Sequence, residues 1–184
     1  MARSPSPWRV KIDRSKCEFA FFVSHVSEDI DEVGRFANAL QDAFALAGGL
    51  PIQACFLDVD DWEIGNPPKA VIRKKLAASQ FFLGWVTPHY LNAANRGWVY
   101  LELAYAELIE LSRQPVLDVE FPFVVPVFRN VLPDDIQRTP WLDYLPREVE
   151  RSQIAESIDE YLERLVPKLI SFYEQETRKW AKGK

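Results

Sequence analysis

The sequence predicts an α/β domain built on an open, mainly parallel β-sheet. Two observations carry that reading: short apolar runs of strand length alternate with longer stretches of helical periodicity, and each run stops abruptly at polar residues. A third is size, since 184 residues suit one compact domain with short extensions.

Glu18 to Ser24 is an aromatic-rich apolar run ending in Ser24-His25, the pattern of a strand buried on both faces. Ser27 is the expected N-cap of the following helix, with Glu28 and Asp29 in its first turn. Ile30, Val33, Phe36, Ala37, Leu40 and Phe44 repeat at helical spacing until Gly48-Gly49 stop them. Ile52 to Leu57 reads as a second strand, and the acids, Gly65 and Pro67-Pro68 make residues 58–68 a loop. A helix is expected over Lys69 to Ala78, then a third strand over Phe81 to Val86, ending at Thr87-Pro88. A polar loop leads to a helix from Trp98 to about Arg113. Phe121 to Phe128 is the fourth strand, with Pro122 and Pro126 placing it near an edge or making its ladder irregular. After a proline-rich stretch to Pro146, the spacing of Ile154, Ile158, Leu162, Leu165, Leu169 and Phe172 predicts a long amphipathic helix. No internal repeat, low-complexity segment or second domain is visible.

Composition removes several function classes. A net charge of −5 provides no global positive field for nucleic acid, and Arg73, Lys74 and Lys75 read as a solvated helix face. Cys17 and Cys55 lack CxxC or zinc-like spacing and sit in apolar runs, where a free cysteine behaves as a small hydrophobe. Residues 1–16 have no signal-peptide core, and no apolar stretch has the length of a membrane span, so a cytoplasmic protein is expected. No GxGxxG, P-loop or serine nucleophile elbow appears. Asp58, Asp60 and Asp61 lack the length and glycine placement of an EF-hand loop, and no metal site is expected.

Right-handed crossovers bring every strand's carboxyl end to one edge, and ligands of open sheets sit there. Ser24, His25, Asp58, Thr87 and the loop before Trp98 all fall on that edge. Trp98 and Glu102, four apart on a helix, share a face, with Tyr105 close by. A carboxylate beside an indole is partly desolvated, a setting that favours its neutral form. Such a group can bind ribose hydroxyls or stabilise a developing positive charge, while the indole offers a flat surface to a heterocycle. The plain alternative is that Glu102 only favours the first turns of its helix and that Trp98 is core. His25 and His89, the two histidines, both follow strands on this edge.

Taken in order, these segments resemble a TIR domain of the bacterial kind. Phe21 to His25 followed by Ser27-Glu28-Asp29 resembles the family's first strand and serine-containing turn. Phe56 to Gly65 resembles its second strand and BB loop, and Ala78 to Leu83 its third strand. Thr87-Pro-His-Tyr-Leu-Asn92, then Trp98 and Glu102-Leu103, resembles its turn and its tryptophan–glutamate helix, and Phe123 to Val127 its fourth strand. One departure is the usual loop serine before the tryptophan, replaced here within Ala93 to Gly97. The resemblance spans residues 18–175, leaving an N-terminal extension at 1–17 and a basic tail at 176–184.

The resemblance implies a flavodoxin-like open parallel sheet flanked by helices. It also implies an NAD⁺ nucleosidase, a glycohydrolase or ADP-ribosyl cyclase, with NAD⁺ as substrate and no cofactor. Glu102 maps onto the family's catalytic glutamate and Trp98 onto the tryptophan of the nicotinamide–ribose pocket. Ser24, His25, Asp58, Trp62 and Ser79 map onto positions bordering the pocket or the BB loop, and Tyr105, near the Trp98–Glu102 face, joins them as a substrate-binding candidate. Self-association through the BB loop, Asp58 to Pro68, and neighbouring helices is implied, with an effector or sensor protein as a further partner. No direct nucleic-acid or membrane contact is implied, and the setting is bacterial antiphage defence or signalling. The alternative is a non-catalytic TIR scaffold acting by self-association. A receiver-type domain would need an acidic pair after the first strand and an Asp after the third, where this chain has Ser24-His25 and Thr87-Pro88.

Overall fold

The structure, a computed structural model, describes residues 17–47, 53–57, 68–93, 97–113, 123–132, 135, 150–152 and 156–182. In chain order the elements are β1 (Phe19–Ser24), a 3-10 turn (Ser27–Asp29), α1 (Ile30–Leu46), β2 (Gln53–Leu57), α2 (Pro68–Ala77) and β3 (Ser79–Val86). There follow α3 (Pro88–Ala93), α4 (Gly97–Arg113), β4 (Val124–Phe128), β5 (Glu150–Arg151) and α5 (Ile158–Lys182). The strands pair in the order β2-β1-β3-β4-β5, every pair parallel. That is the doubly wound, flavodoxin-like order, and its carboxyl edge carries the topological switch between β1 and β3.

Period-two alternation divides the sheet between two helical layers. Phe21, Phe81, Leu83, Trp85 and Val127 face α1 and α5, meeting Phe36, Leu40, Phe44, Leu165 and Leu169. Phe22, Phe56, Phe82 and Val124 face the other way, against Ile72 and Leu76 of α2 and Ala106 of α4. Phe22 and Phe82 stack across the β1–β3 seam, ring centroids 5.9 Å apart. All of β1 and all of β3 are buried, as central parallel strands must be when helices cover both faces.

Several boundaries differ from the sequence reading, each for a local reason. Ser27 does not cap α1: it lies inside the 3-10 turn, its hydroxyl donates to the Glu28 carboxylate, and α1 opens at Ile30 without a side-chain cap. The long C-terminal helix opens at Ile158 rather than near Ile154, because Ser157 and Glu160 form a reciprocal capping box. It then runs on to Lys182, so residue 175 is no break and Glu176 is buried. Helix α3 occupies the expected polar loop, and the short strand β5 falls between the proline-rich stretch and the long helix, where no element is expected. Strand β3 begins at Ser79, two residues before the expected start, and β4 begins at Val124. Proline in β4 is explained by its outer side: the Val124 N–H donates to the Glu110 carboxylate, not to a strand, and β5 pairs only with Val127 and Phe128. Alternation turns the N–H-less position of Pro126 to that same unladdered side.

Candidate active site

Three carboxyl ends meet at one edge: Ser24 closes β1, Thr87 follows β3, and Arg129 follows β4. Helix α4 packs against this sheet with its N-terminus at the same edge, so Trp98 lies outermost and Glu102 one turn deeper. Exposure follows that geometry, at 41% for Trp98 and 1% for Glu102. The Ser24 hydroxyl donates to Glu102 Oε2 at 2.6 Å. Its oxygen also lies 3.0 Å from the Tyr90 hydroxyl. Ser24's proton is committed to the carboxylate, so the tyrosine must donate to the serine.

Tyr90 is placed by a second small network. Thr87 is the N-cap of α3, with Pro88 at the first helical position, a pairing that suits a helix start. The Tyr90 N–H donates to Thr87 Oγ1 at 3.1 Å, and the Thr87 hydroxyl donates to Asp29 Oδ2 at 2.5 Å. The tyrosine ring enters an apolar cluster of Val26, Val86, Val99, Phe128 and Val131. Its hydroxyl lies over Gly84, where a Cβ would stand 3.5 Å from it. Gly84 is the register partner of Ser24 on the neighbouring strand, which brings serine, tyrosine and glutamate together.

Burial shapes the electrostatics. It drives the Tyr90 phenol above its ordinary range, Ser24's hydrogen bond opposes this, and the nearby Glu102 charge adds to it. Tyr90 is therefore a hydrogen-bond donor at any working pH. Asp29 is also raised, first by burial; the Thr87 hydrogen bond and His89 pull it down, and Glu32 and Glu28 push it up.

Of the predicted site residues, Ser24 and Glu102 are in direct contact, and His25 is buried beside them. The His25 Nδ1–H donates to the Val23 carbonyl at 3.3 Å, which fixes a proton on that nitrogen. Trp98 stands at the rim. Ser79 is not at the site: it opens β3 in register with Phe19, at the amino end of the sheet, and its hydroxyl donates to the Lys75 carbonyl at 2.8 Å. Tyr105 turns toward α2 instead, with the Arg73 guanidinium 4.6 Å above its ring. Asp58, Trp62 and the loop before Pro68 lie outside the described residues. Among those described, no three His, Cys, Asp or Glu side chains gather in a metal-binding cluster.

Two groups were not anticipated. Tyr90 falls in a stretch whose composition predicts a polar loop, although Thr-Pro is itself a helix-start signal. Arg129 is a buried clamp: Nε and Nη2 hold both Glu32 oxygens at 3.1 and 3.0 Å, and Nη1 donates to the Glu156 carbonyl at 2.9 Å. It ties α1, the end of β4 and the approach to α5 into one rigid edge. A lone arginine after an apolar run carries no sequence signal of that role.

A family model described as a TIR domain matches residues 21–162, more than half of the chain, and the chain belongs to that family. TIR domains include NAD⁺-cleaving enzymes and non-catalytic members, and they self-associate. Among curated proteins, none matches this chain. Among the described residues, no helix is long and apolar enough to cross a membrane.

Proposed function

We propose that this TIR domain is an NAD⁺ nucleosidase that breaks the nicotinamide–ribose bond at Glu102. The observation that carries the reading is a carboxylate 1% exposed at the carboxyl edge, oriented by a 2.6 Å hydrogen bond from Ser24. Burying such a group is costly, and functional sites are where that cost is met. As the C1′–N bond breaks, its electron pair passes to the pyridinium and nicotinamide leaves neutral, so no general acid is needed. The ribose becomes oxocarbenium-like, and a fixed carboxylate beneath it stabilises the positive charge. Water adds at C1′ and loses a proton to solvent, giving ADP-ribose; a nucleophile within the substrate would give a cyclic isomer. Trp98, at the rim, is the surface for the nicotinamide ring.

A carboxylate this enclosed cannot touch a ribose until the edge opens. Self-association through the BB loop and adjoining helices is the opening event in this reading, and depletion of NAD⁺ or production of a nucleotide signal in bacterial antiphage defence is its use. The test is incubation of concentrated protein with NAD⁺ beside Glu102→Ala, with nicotinamide and nucleotides separated by chromatography. Nicotinamide from the wild type alone, at a rate that climbs faster than protein concentration, is the expected result. No turnover at any concentration sinks it.

A second reading, the non-catalytic scaffold, has its own observation. Helix α4 buries Val99, Glu102 and Ala106 on one side, yet its opposite side carries Tyr100 at 54% and Leu108 at 61% exposure. A helix apolar on both sides normally has something to pack against on both. Self-association with no NAD⁺ cleavage would favour this reading.

A further inference from the structure

We infer that Tyr90 is a positioning residue for Glu102, acting through the Ser24 hydroxyl. The inference deepens the proposed NAD⁺ chemistry and rests on that reading for its kinetic consequence. Its geometric basis is separate: Tyr90 hydroxyl to Ser24 Oγ at 3.0 Å, Ser24 to Glu102 Oε2 at 2.6 Å, and Tyr90 itself fixed by Thr87 at 3.1 Å.

A serine hydroxyl alone has one proton and a rotor with three staggered positions. It can point at Glu102, or turn away and satisfy another acceptor. The Tyr90 hydroxyl removes that freedom, because a donor approaching the serine oxygen leaves the serine proton only the carboxylate to meet. A serine that accepts a hydrogen bond is also a stronger donor, since successive hydrogen bonds polarise one another. Burial keeps the tyrosine protonated, so its donor is never lost to titration.

While Glu102 is an anion, protons run Tyr90 to Ser24 to Glu102.

The decisive variant is Tyr90→Phe, which keeps the buried ring and deletes the hydroxyl. Two readouts apply. In isotope-edited infrared spectra of [¹³C]glutamate-labelled protein, the Glu102 carboxylate band is identified by subtracting the Glu102→Gln spectrum. That band shifts in Tyr90→Phe, and by more in Ser24→Ala. In NAD⁺ turnover, Tyr90→Phe lowers kcat about tenfold with KM within about twofold, and adding it to Ser24→Ala costs nothing further. Should Tyr90→Phe fail to fold, Thr87→Val removes the cap that places the ring and must move the same band in the same direction. A band unmoved in these variants overturns the inference, as does a turnover loss that adds fully to that of Ser24→Ala. A shifted band in a protein with no wild-type turnover leaves the positioning role standing and removes the proposed chemistry.

Discussion

Ser24 and Glu102 stand 78 residues apart in the chain and 2.6 Å apart in the fold, joined by a hydrogen bond between an interior strand and a covering helix. Removing the serine hydroxyl deletes a bond to a charged group, so Ser24→Ala is expected to lower folding stability by about 1.5–3 kcal/mol. Glu102→Gln keeps the shape and can still accept from Ser24, so it should cost less than about 1 kcal/mol. Its turnover should nevertheless fall by roughly a hundredfold or more, since the charge facing the ribosyl cation is gone. Urea melts and nicotinamide release measure the two. A fully active Glu102→Gln would show that this charge does no chemistry.

Asp29 supplies a pH test with a definite sign. Its folded carboxyl is raised above the ordinary 3.8, so the folded protein holds that proton more tightly than the unfolded chain. The stabilisation is complete below 3.8 and is lost as pH climbs through the raised value. Asp29→Asn carries no such charge and still offers an oxygen to Thr87. Wild-type stability minus that of Asp29→Asn should therefore fall as pH rises from about 3 to 7. A difference that grows over this range would contradict it.

Burial pushes the Cys55 thiol from an ordinary 9.0 up to about 12. At pH 8 that leaves roughly a thousandfold less thiolate than in an exposed cysteine. Native protein should label at Cys55 at least about a hundredfold more slowly with a disulfide-exchange reagent than urea-unfolded protein. Equal rates would mean that β2 opens freely.

Arg129 and Glu32 make a two-pronged pair in which the arginine is buried and the glutamate keeps some water. Arg129→Ala strands the Glu156 carbonyl as well as Glu32 and should cost about 3 kcal/mol, the low end for breaking a buried pair. Glu32→Gln keeps one acceptor oxygen but sets an amide N–H against the other arginine donor, and should cost about 1–3 kcal/mol. Denaturant midpoints that do not move would mean the clamp is idle.

Pro167 lies inside α5 and is exposed there. An interior proline forfeits one helical hydrogen bond, at about 3 kcal/mol against alanine. Pro167→Ala should accordingly raise stability by about 1–3 kcal/mol. A loss instead would reveal that the packing of α5 depends on the proline.

The sheet was legible because its strands are long enough to show their character: Phe19 to Val23 and Phe81 to Val86 cannot be mistaken for solvated chain. The shared placement of Glu102 and Ser24 was legible from the strand-end rule and helical spacing, which both point to one edge. Tyr105 was not, because proximity on a helix surface leaves open which neighbour a ring meets, and Arg73 on α2 claims it. Ser79 begins a strand, and the rule that selected Ser24 argues against any site residue at an amino end. Tyr90 was hidden by size: six residues of α3 hold too few turns to show a period, and only its Thr-Pro start marks it.

Strand β1 is flanked on both edges by parallel partners and covered on both faces. Its amide protons should exchange with solvent only when the whole domain unfolds, the slowest class that hydrogen exchange records. Ser24, hung from the end of that strand, therefore keeps its place for the lifetime of the fold. On the proposed NAD⁺ reading, the motion that admits the substrate belongs to the helices at this edge, with the serine as the fixed post against which they swing.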